Sequence, residues 1–367
     1  MRDDRAERVA DVLVGYSLPV EHGQLVSIRG PAVAAPLLLG IYRRCLEAGA
    51  HPVLRPYLPE TEAYFYRFAQ EHQLSYVWDT EKWMIENVDA TFSVIADTNT
   101  RQLSRTDPER QAIVSRSRKP LQDRFFERSA KGESRWNLTL YPTEAHAQDA
   151  KMSLAEYEDF FYAACLIDAP DPIAEWKKIA EGHARLIKWM NGRNTVHLEG
   201  EGTDLVLEVG GRRFVAASGN ENFPDGEIFT GPIEDRTRGH ITFSYPALYS
   251  GRAVEDIRLT FDGGRVVEAR AGREEEFLLK TLDTDEGARV LGELGIGTNF
   301  GIPTFTGEPL LDEKIGGTIH LALGASYPET GGVNESAIHW DMVCDLRRGG
   351  RVTVDGDVLV EDGRLLA

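Results

Sequence analysis

The stretch Gly317–Leu346 reads GTIHLALGASYPETGGVNESAIHWDMVCDL, and it carries two of the nine histidines of the chain, His320 and His339. Asp341 follows His339 with one residue between them. In an extended strand, residues i and i+2 point to the same face about 6–7 Å apart, so this pair can converge on one ion while Trp340 packs behind it. A His-x-Asp pair with a second histidine nearby is typical of transition-metal sites, although core packing explains such a pattern more often when it stands alone.

Carboxylates in three other segments strengthen the metal interpretation. Glu227 starts an apolar strand in ENFPDGEIFTGP, where a buried charge needs a partner. Glu293 lies in RVLGELGIGTN. In LLDEKIGGTIH, Asp312 and Glu313 precede His320. Each carboxylate alone is compatible with a solvated position, but together they supply a better set of oxygen ligands than any one segment does.

These segments resemble the thermophilic-type metallo-aminopeptidases, a family of two-domain enzymes with a dinuclear metal site. The matching text is NFPDGEIFTGP, ELGIGTN, LLDEKIGGTIHLALGASY and GGVNESAIHWDMVCDL, with WNLTLYPTEAHAQDA and GTDLVLEVGGR upstream. The blocks run in order from Trp136 to the C-terminus, and weaker similarity extends to the start of the chain. Carried over by position, the family's metal ligands fall on Glu227, Glu293, Glu313, His320, His339 and Asp341, and its catalytic tyrosine falls on Tyr327.

The resemblance implies a peptidase that removes N-terminal residues from short peptides with two divalent ions, either zinc, cobalt or manganese. Carboxylate oxygens and imidazoles suit these metals, and ions about 3.5–4 Å apart can activate a water and polarise the scissile carbonyl. Tyr327 is expected to donate a hydrogen bond to the developing oxyanion. Glu293 is the candidate base for the proton of the water, and a bridging role for it stays open. The resemblance further implies a homodimer that encloses the active site near its interface.

The same fold is known to carry a ring-cleaving dioxygenase that acts on dihydroxypyridines, which supplies a second hypothesis. In that case His320, His339 and Asp341 would form a 2-His-1-carboxylate triad for a single Fe(II) ion. Glu227 and Glu293 argue against it, because they lie where a second metal would need them. A non-enzymatic binding protein on the same scaffold is a more distant third hypothesis.

The composition of the chain indicates which classes of partner are excluded and in which compartment the protein is expected. With 59 acidic and 41 basic residues the net charge is −18, which argues against nucleic acid or an anionic membrane as a partner. No apolar run approaches the roughly 18 residues of a membrane span, and no charged-then-apolar leader opens the sequence, so we expect a cytoplasmic protein. The cysteines are Cys45, Cys165 and Cys344. Their odd number and wide spacing indicate buried thiols in a reducing compartment.

The first half of the chain alternates between strand and helix patterns. This predicts an α/β N-terminal domain with a parallel sheet over residues 1–190. The segments Gly23–Gly30 and Ala90–Asp97 are typical of short buried strands, and Pro31–Ala50 has the apolar spacing of an amphipathic helix that ends at a glycine. The sequence after the first strand contains no GxGxxG motif and no Walker lysine, which argues against a nucleotide site.

After residue 190 the pattern changes to short strands with glycine-rich turns. This predicts a mainly antiparallel β (α+β) catalytic domain over residues 191–367. The sequence Asp262-Gly263-Gly264 predicts a hairpin. The segment Glu274–Leu294 is expected to hold the main inserted helices. All candidate ligands lie in this half, and we expect them at strand ends and turns.

Overall fold

The computed structural model describes residues 4–366 as two compact units. The first unit contains the chain up to Ile173 and the short segment Gly219–Pro224. The second unit contains Ala174–Ser218 and the chain from Asp225 onward. The predicted boundary after residue 190 places the helix Pro172–Met190 in the first domain, whereas nearly all of this helix belongs to the second unit. The division into functional domains stays a prediction.

In chain order the helices are α1 Asp4–Val12, α2 Ala35–Glu47, α3 Glu60–Phe68, α4 Glu71–Leu74, α5 Asp79–Asn87, α6 Pro108–Ala130, α7 Glu144–Asp149, α8 Leu154–Ala164, α9 Pro172–Met190, α10 Glu275–Leu282 and α11 Pro309–Asp312. The first ten strands are β1 Leu25–Pro31, β2 His51–Tyr57, β3 Ala90–Ile95, β4 Arg135–Leu140, β5 Thr195–Gly200, β6 Thr203–Glu208, β7 Val215–Ala217, β8 Asn222–Phe223, β9 Glu227–Thr230 and β10 Arg238–Thr242. The others are β11 Ala247–Tyr249, β12 Arg252–Val254, β13 Arg258–Asp262, β14 Arg265–Arg270, β15 Leu291–Gly297, β16 Thr318–Gly324, β17 His339–Asp345, β18 Arg351–Val354, β19 Asp357–Glu361 and β20 Arg364–Leu365.

The first unit is built on a five-stranded sheet in the order β2-β1-β3-β4-β8. All of its pairings are parallel, so the predicted α/β fold class is confirmed for this part of the chain. Helix α2 buries Leu37, Leu38 and Ile41 because their spacing puts them on one side of the helix. Gly49 adopts a positive φ of 78° just beyond α2, as expected for a glycine after the C-terminus of a helix.

The second unit contains two larger antiparallel sheets. Eight strands run in the order β14-β13-β10-β6-β5-β18-β19-β20, and five strands run in the order β17-β16-β15-β9-β7. Apolar side chains from both sheets share one core with α9 and α10, including Leu205, Leu278 and Leu294. The predicted antiparallel character is therefore confirmed. The hairpin predicted at Asp262-Gly263-Gly264 joins β13 to β14, and both glycines have the positive φ that such a turn requires.

The prediction of helices over Glu274–Leu294 is wrong for the second half of this segment. Helix α10 ends at Leu282, a 3₁₀ turn covers Glu286–Arg289, and the chain then forms the strand β15. All seven residues of β15 are buried. A strand that is buried on both faces loses the polar–apolar alternation that identifies strands in sequence, so an apolar segment of this kind resembles a helix.

Two further observations concern the expected compartment. Cys45, Cys165 and Cys344 are all buried, as predicted. Among residues 4–366, no helix combines the length and the apolar character needed to cross a membrane.

Candidate metal centre

Five of the six candidate ligands lie on one face of the five-stranded antiparallel sheet of the second unit, and the strand register explains why. Glu293 on β15 pairs with Ala322 on β16, and Ala322 pairs with Asp341 on β17. His339 on β17 pairs with Gly324 on β16. Residues that pair directly across antiparallel strands project to the same side of a sheet. Glu293, His339 and Asp341 therefore share one face.

The other two candidate ligands in this sheet, His320 and Glu227, lie on the same face, and each pairs with a glycine of β15. His320 pairs with Gly295, and Glu227 pairs with Gly297. A Cβ atom placed on Gly295 would overlap the Cε1 and Nε2 atoms of His320, so the imidazole lies directly over this glycine. The glycines thus leave room for the imidazole and carboxylate groups. The expectation that all ligands lie at strand ends and turns is wrong for Glu293, His320 and Asp341, each of which is the third residue of its strand.

The His-x-Asp pair has the geometry that its strand pattern predicts. The Nε2 atom of His339 lies 3.6 Å from Oδ1 of Asp341. Trp340 between them is 1% exposed, and its ring contacts the rings of Tyr249 and Phe277. Packing of Trp340 in the core therefore holds the strand so that its two polar neighbours face the other way.

Glu293 lies between the two histidines. Its Oε2 atom is 3.1 Å from Nε2 of His339, and its Oε1 atom is 3.7 Å from Nε2 of His320. The same Nε2 atom of His320 also lies 3.4 Å from Oε2 of Glu227. Glu293, His339 and Asp341 each offer a ligand atom, and these atoms lie within 4.8 Å of one another. Glu293 thus connects this group to the pair formed by His320 and Glu227.

The sixth candidate, Glu313, reaches the cluster through a lysine. The ammonium of Lys314 donates to Oε1 of Glu227 at 2.7 Å and to Oε2 of Glu313 at 2.9 Å. Lys314 is only 1% exposed. The segment LLDEKIGGTIH contains this lysine, but the sequence predicts no role for it. A single buried lysine has no sequence periodicity that distinguishes it from an exposed one, so the sequence alone offered no signal.

The histidines and carboxylates of the cluster perturb one another's protonation. Burial disfavours imidazolium, but contacts with the neighbouring carboxylates outweigh it and raise the pKa of His320 to about 9 and that of His339 to about 10. Burial would raise the pKa of Glu293, but hydrogen bonding to both histidines lowers it to about 2. The Nδ1 atom of His339 lies 2.8 Å from the carbonyl oxygen of Ala325 and donates to it, which leaves Nε2 directed at Glu293.

Tyr327 lies beside the cluster. Its ring packs edge-on against the ring of His339 with centroids 4.9 Å apart, and against Phe229 at 5.5 Å. The residue is 40% exposed, so one side of it remains accessible to solvent. Partial burial of the phenol, reinforced by nearby carboxylates such as Glu293, raises the pKa of Tyr327 and keeps the hydroxyl protonated.

Asp312 does not join the cluster. Its Oδ1 atom accepts hydrogen bonds from the amide and hydroxyl of Thr306 at 2.7 and 2.9 Å, and its Oδ2 atom accepts one from the amide of Gly307 at 2.8 Å. The carboxylate therefore holds the loop before α11. That loop and α11 lead directly to Glu313 and Lys314.

The donor set fits divalent cations. Glu227 is buried, and its Oε2 atom has no hydrogen-bond donor among the described residues. A buried carboxylate oxygen without a donor is costly unless a cation or proton occupies its vicinity. Four carboxylates and two imidazoles provide the hard oxygens and borderline nitrogens that zinc, cobalt and manganese accept. Cations that bind here would displace the protons of both histidines, so the affinity should fall with decreasing pH.

Comparison with known proteins points in the same direction. The model of the thermophilic metalloprotease (M29) family matches residues 2–363. Aminopeptidase 2 of Geobacillus stearothermophilus is 29% identical over 95% of this chain and 94% of its own. Aminopeptidase T of Thermus aquaticus is 26% identical, covering 98% of this chain and 96% of its own.

Two solved structures share the fold. Wild-type AmpT from Thermus thermophilus superposes with a TM-score of 0.86 at 24% identity, covering 99% of both chains. A 2,5-dihydroxypyridine dioxygenase from Pseudomonas putida gives a TM-score of 0.57 at 13% identity, covering 99% of this chain and 97% of its own.

Proposed function

The chain belongs to the thermophilic metalloprotease (M29) family, and we propose that this metal-dependent aminopeptidase removes N-terminal residues from short peptides at the shared face of β9, β15, β16 and β17. The observation that carries the proposal is the position of Glu293, which offers one carboxylate oxygen to each of two histidine-containing groups. Such an arrangement suits a pair of cations, because a carboxylate can bridge two ions and an imidazole cannot.

We assign the ligands to two ions. One ion would be held by His339 and Asp341, and the other by His320, Glu227 and Glu313, with Glu293 shared between them. The ligand distances within the first group support this division. Zinc, cobalt and manganese all suit such a donor set.

Side chains around the ions would orient the peptide and move its protons. When bound, the ions supply an acidified water and polarise the scissile carbonyl. Tyr327, whose ring packs against His339, would donate a hydrogen bond to the oxygen of that carbonyl as negative charge develops. The alternative to the bridging role is that Glu293 accepts the proton of the water, with one of its two oxygens released from the ions.

The first test measures, on the same preparation, the metal content and the cleavage of substrates with a free or a blocked N-terminus. We expect two zinc, cobalt or manganese ions per chain, and cleavage of an unblocked dipeptide or aminoacyl-anilide. The N-acetylated form of the same substrate should resist cleavage, because it lacks the free α-amine that would bind at the site. Equal rates on both substrates would contradict the aminopeptidase assignment. One iron per chain with ring-cleaving activity would favour the dioxygenase, whose candidate triad is His320, His339 and Asp341.

Tyr327→Phe tests the proposed oxyanion donor. This substitution removes one hydroxyl and keeps the ring that packs against His339 and Phe229. We expect turnover to fall by about 10²–10³, the usual cost of one oxyanion donor, with metal content unchanged. Tyr64→Phe is a suitable control, because Tyr64 is an exposed tyrosine of α3 in the other unit. Wild-type turnover in Tyr327→Phe would mean that this tyrosine only packs beside the site.

Assembly and location also belong to the proposal. We expect a homodimer, which the family resemblance implies, and a cytoplasmic location, which the three buried cysteines support. Several large apolar side chains of the first unit are exposed, including Phe68, Trp78 and Trp83, and such surfaces often form interfaces. A monomer in sedimentation experiments at micromolar concentration would contradict the dimer.

A further inference from the structure

Lys314 is a charged side chain that contacts the cluster and that the proposed chemistry does not use. It follows α11 directly, and its side chain is only 1% exposed. Its ammonium donates hydrogen bonds to two candidate ligands, at 2.7 Å to Glu227 and 2.9 Å to Glu313. Burial of an ion pair is a weak source of stability, because desolvation of both charges offsets their attraction. The position of this lysine therefore calls for an explanation other than stability of the fold.

The contacts of Lys314 distinguish the two oxygens of Glu227. The Oε1 atom accepts a hydrogen bond from the ammonium, whereas Oε2 has no donor within residues 4–366 and lies 3.4 Å from Nε2 of His320. Rotation of the carboxylate would exchange these oxygens only by breaking the bond to Lys314. The ammonium thus fixes which oxygen of Glu227 stays available, and it also occupies one oxygen of Glu313.

We propose that Lys314 is a positioning residue for one of the two ions, because its ammonium makes Glu227 and Glu313 each present a single oxygen to that ion. The inference rests on the proposed dinuclear site. The other ion depends on a different anchor, since His339 is oriented through its Nδ1 contact with the carbonyl of Ala325. Loss of Lys314 should therefore affect the two ions unequally.

Two physical effects of Lys314 on metal affinity have opposite signs. A fixed positive charge repels a nearby cation, so its removal alone would tighten binding. A fixed hydrogen bond to a ligand orients that ligand, and loss of such a contact typically weakens metal affinity by about 10–100-fold. The direction of the change therefore separates positioning from simple charge balance.

The test is a metal titration of metal-free protein by calorimetry or chelator competition. Lys314→Met removes the charge and the donor at similar length, and Lys314→Gln keeps a donor without the charge. Lys280→Met is the matched control, because Lys280 also pairs with a glutamate, Glu276 at 2.7 Å, but is 74% exposed on α10.

We expect wild type and Lys280→Met to bind two ions alike. In Lys314→Met one ion should bind as in wild type, and the other should bind about 10–100-fold more weakly. Lys314→Gln should recover part of that loss. In the metal-saturated variants kcat should fall, because wrongly oriented carboxylates would misplace the ion. KM should change little, because a side chain that is only 1% exposed is not accessible to the peptide.

Unchanged or tighter binding of both ions in Lys314→Met would overturn the inference and leave the dinuclear peptidase intact. Failure of both variants to fold, monitored by circular dichroism without metal, would assign Lys314 a purely structural role and also overturn it. Failure of wild type itself to bind two ions would instead contradict the proposed function.

Discussion

Substitution of His339 by alanine, or of Asp341 by asparagine, is expected to abolish peptidase activity and to lower the metal content of the purified protein. Both side chains lie in the group of ligand atoms within 4.8 Å of one another that also contains Glu293. Substitution of residues that only support a ligand already costs about 10–100-fold, so removal of a ligand should exceed about 100-fold. Turnover with an unblocked peptide and metal analysis of the same sample provide the measurement.

His240→Ala is the matched control for the loss of an imidazole. His240 is exposed on β10 in the eight-stranded sheet, away from the candidate ligands in sequence and in strand order. Its substitution should leave turnover and metal content unchanged. In the ligand variants added metal should also raise the melting temperature less than in wild type, because ligand binding stabilises the folded state by mass action. Near-normal turnover with full metal content in either ligand variant would remove the site assignment.

Gly295→Ala is expected to damage the site without changing any polar group. The added methyl group would overlap the imidazole of His320, which lies over this glycine. The strand is buried on both faces, so neither residue can move aside easily. We expect a loss of metal from the ion held by His320 and a loss of activity greater than about 100-fold, with a stability cost of about 1–3 kcal/mol typical of overpacking.

Gly182→Ala provides the control for this steric prediction. Gly182 lies inside α9, and the nearest atom to an added Cβ is Nη2 of Arg185 at 3.8 Å. The substitution should preserve activity and raise stability by up to about 1 kcal/mol, since alanine favours helices over glycine. Metal titration and chemical denaturation of both variants check the pair of predictions. Full metal content in Gly295→Ala would mean that His320 has another orientation in solution.

The features that local sequence determines were predicted well. His339 and Asp341 share a face because side chains alternate along any strand, whatever lies beside it. The hairpin at Asp262-Gly263-Gly264 depends on the backbone freedom of its own glycines, and α2 depends on the spacing of its own apolar residues. Alternation of strands and helices in the first half was likewise sufficient to predict a parallel sheet.

The strand identity of β15 and the position of Lys314 were decided only by the tertiary structure. Glu293 was predicted at the end of a helix, because a strand buried on both faces carries no alternating pattern. Burial of Lys314 depends on Glu227 of β9 as well as on its neighbour Glu313, so a window of sequence around the lysine contains only one of its two partners.

The sequence by itself determined which residue types are available for the candidate site, and the family resemblance indicated which positions to combine. The tertiary structure decided that Glu293 lies between His320 and His339 and that one oxygen of Glu227 is held by Lys314. The physical reason is strand register: pairing between segments far apart in the chain sets which side chains share a face, and a shift by one residue would turn a strand's ligands to the opposite side.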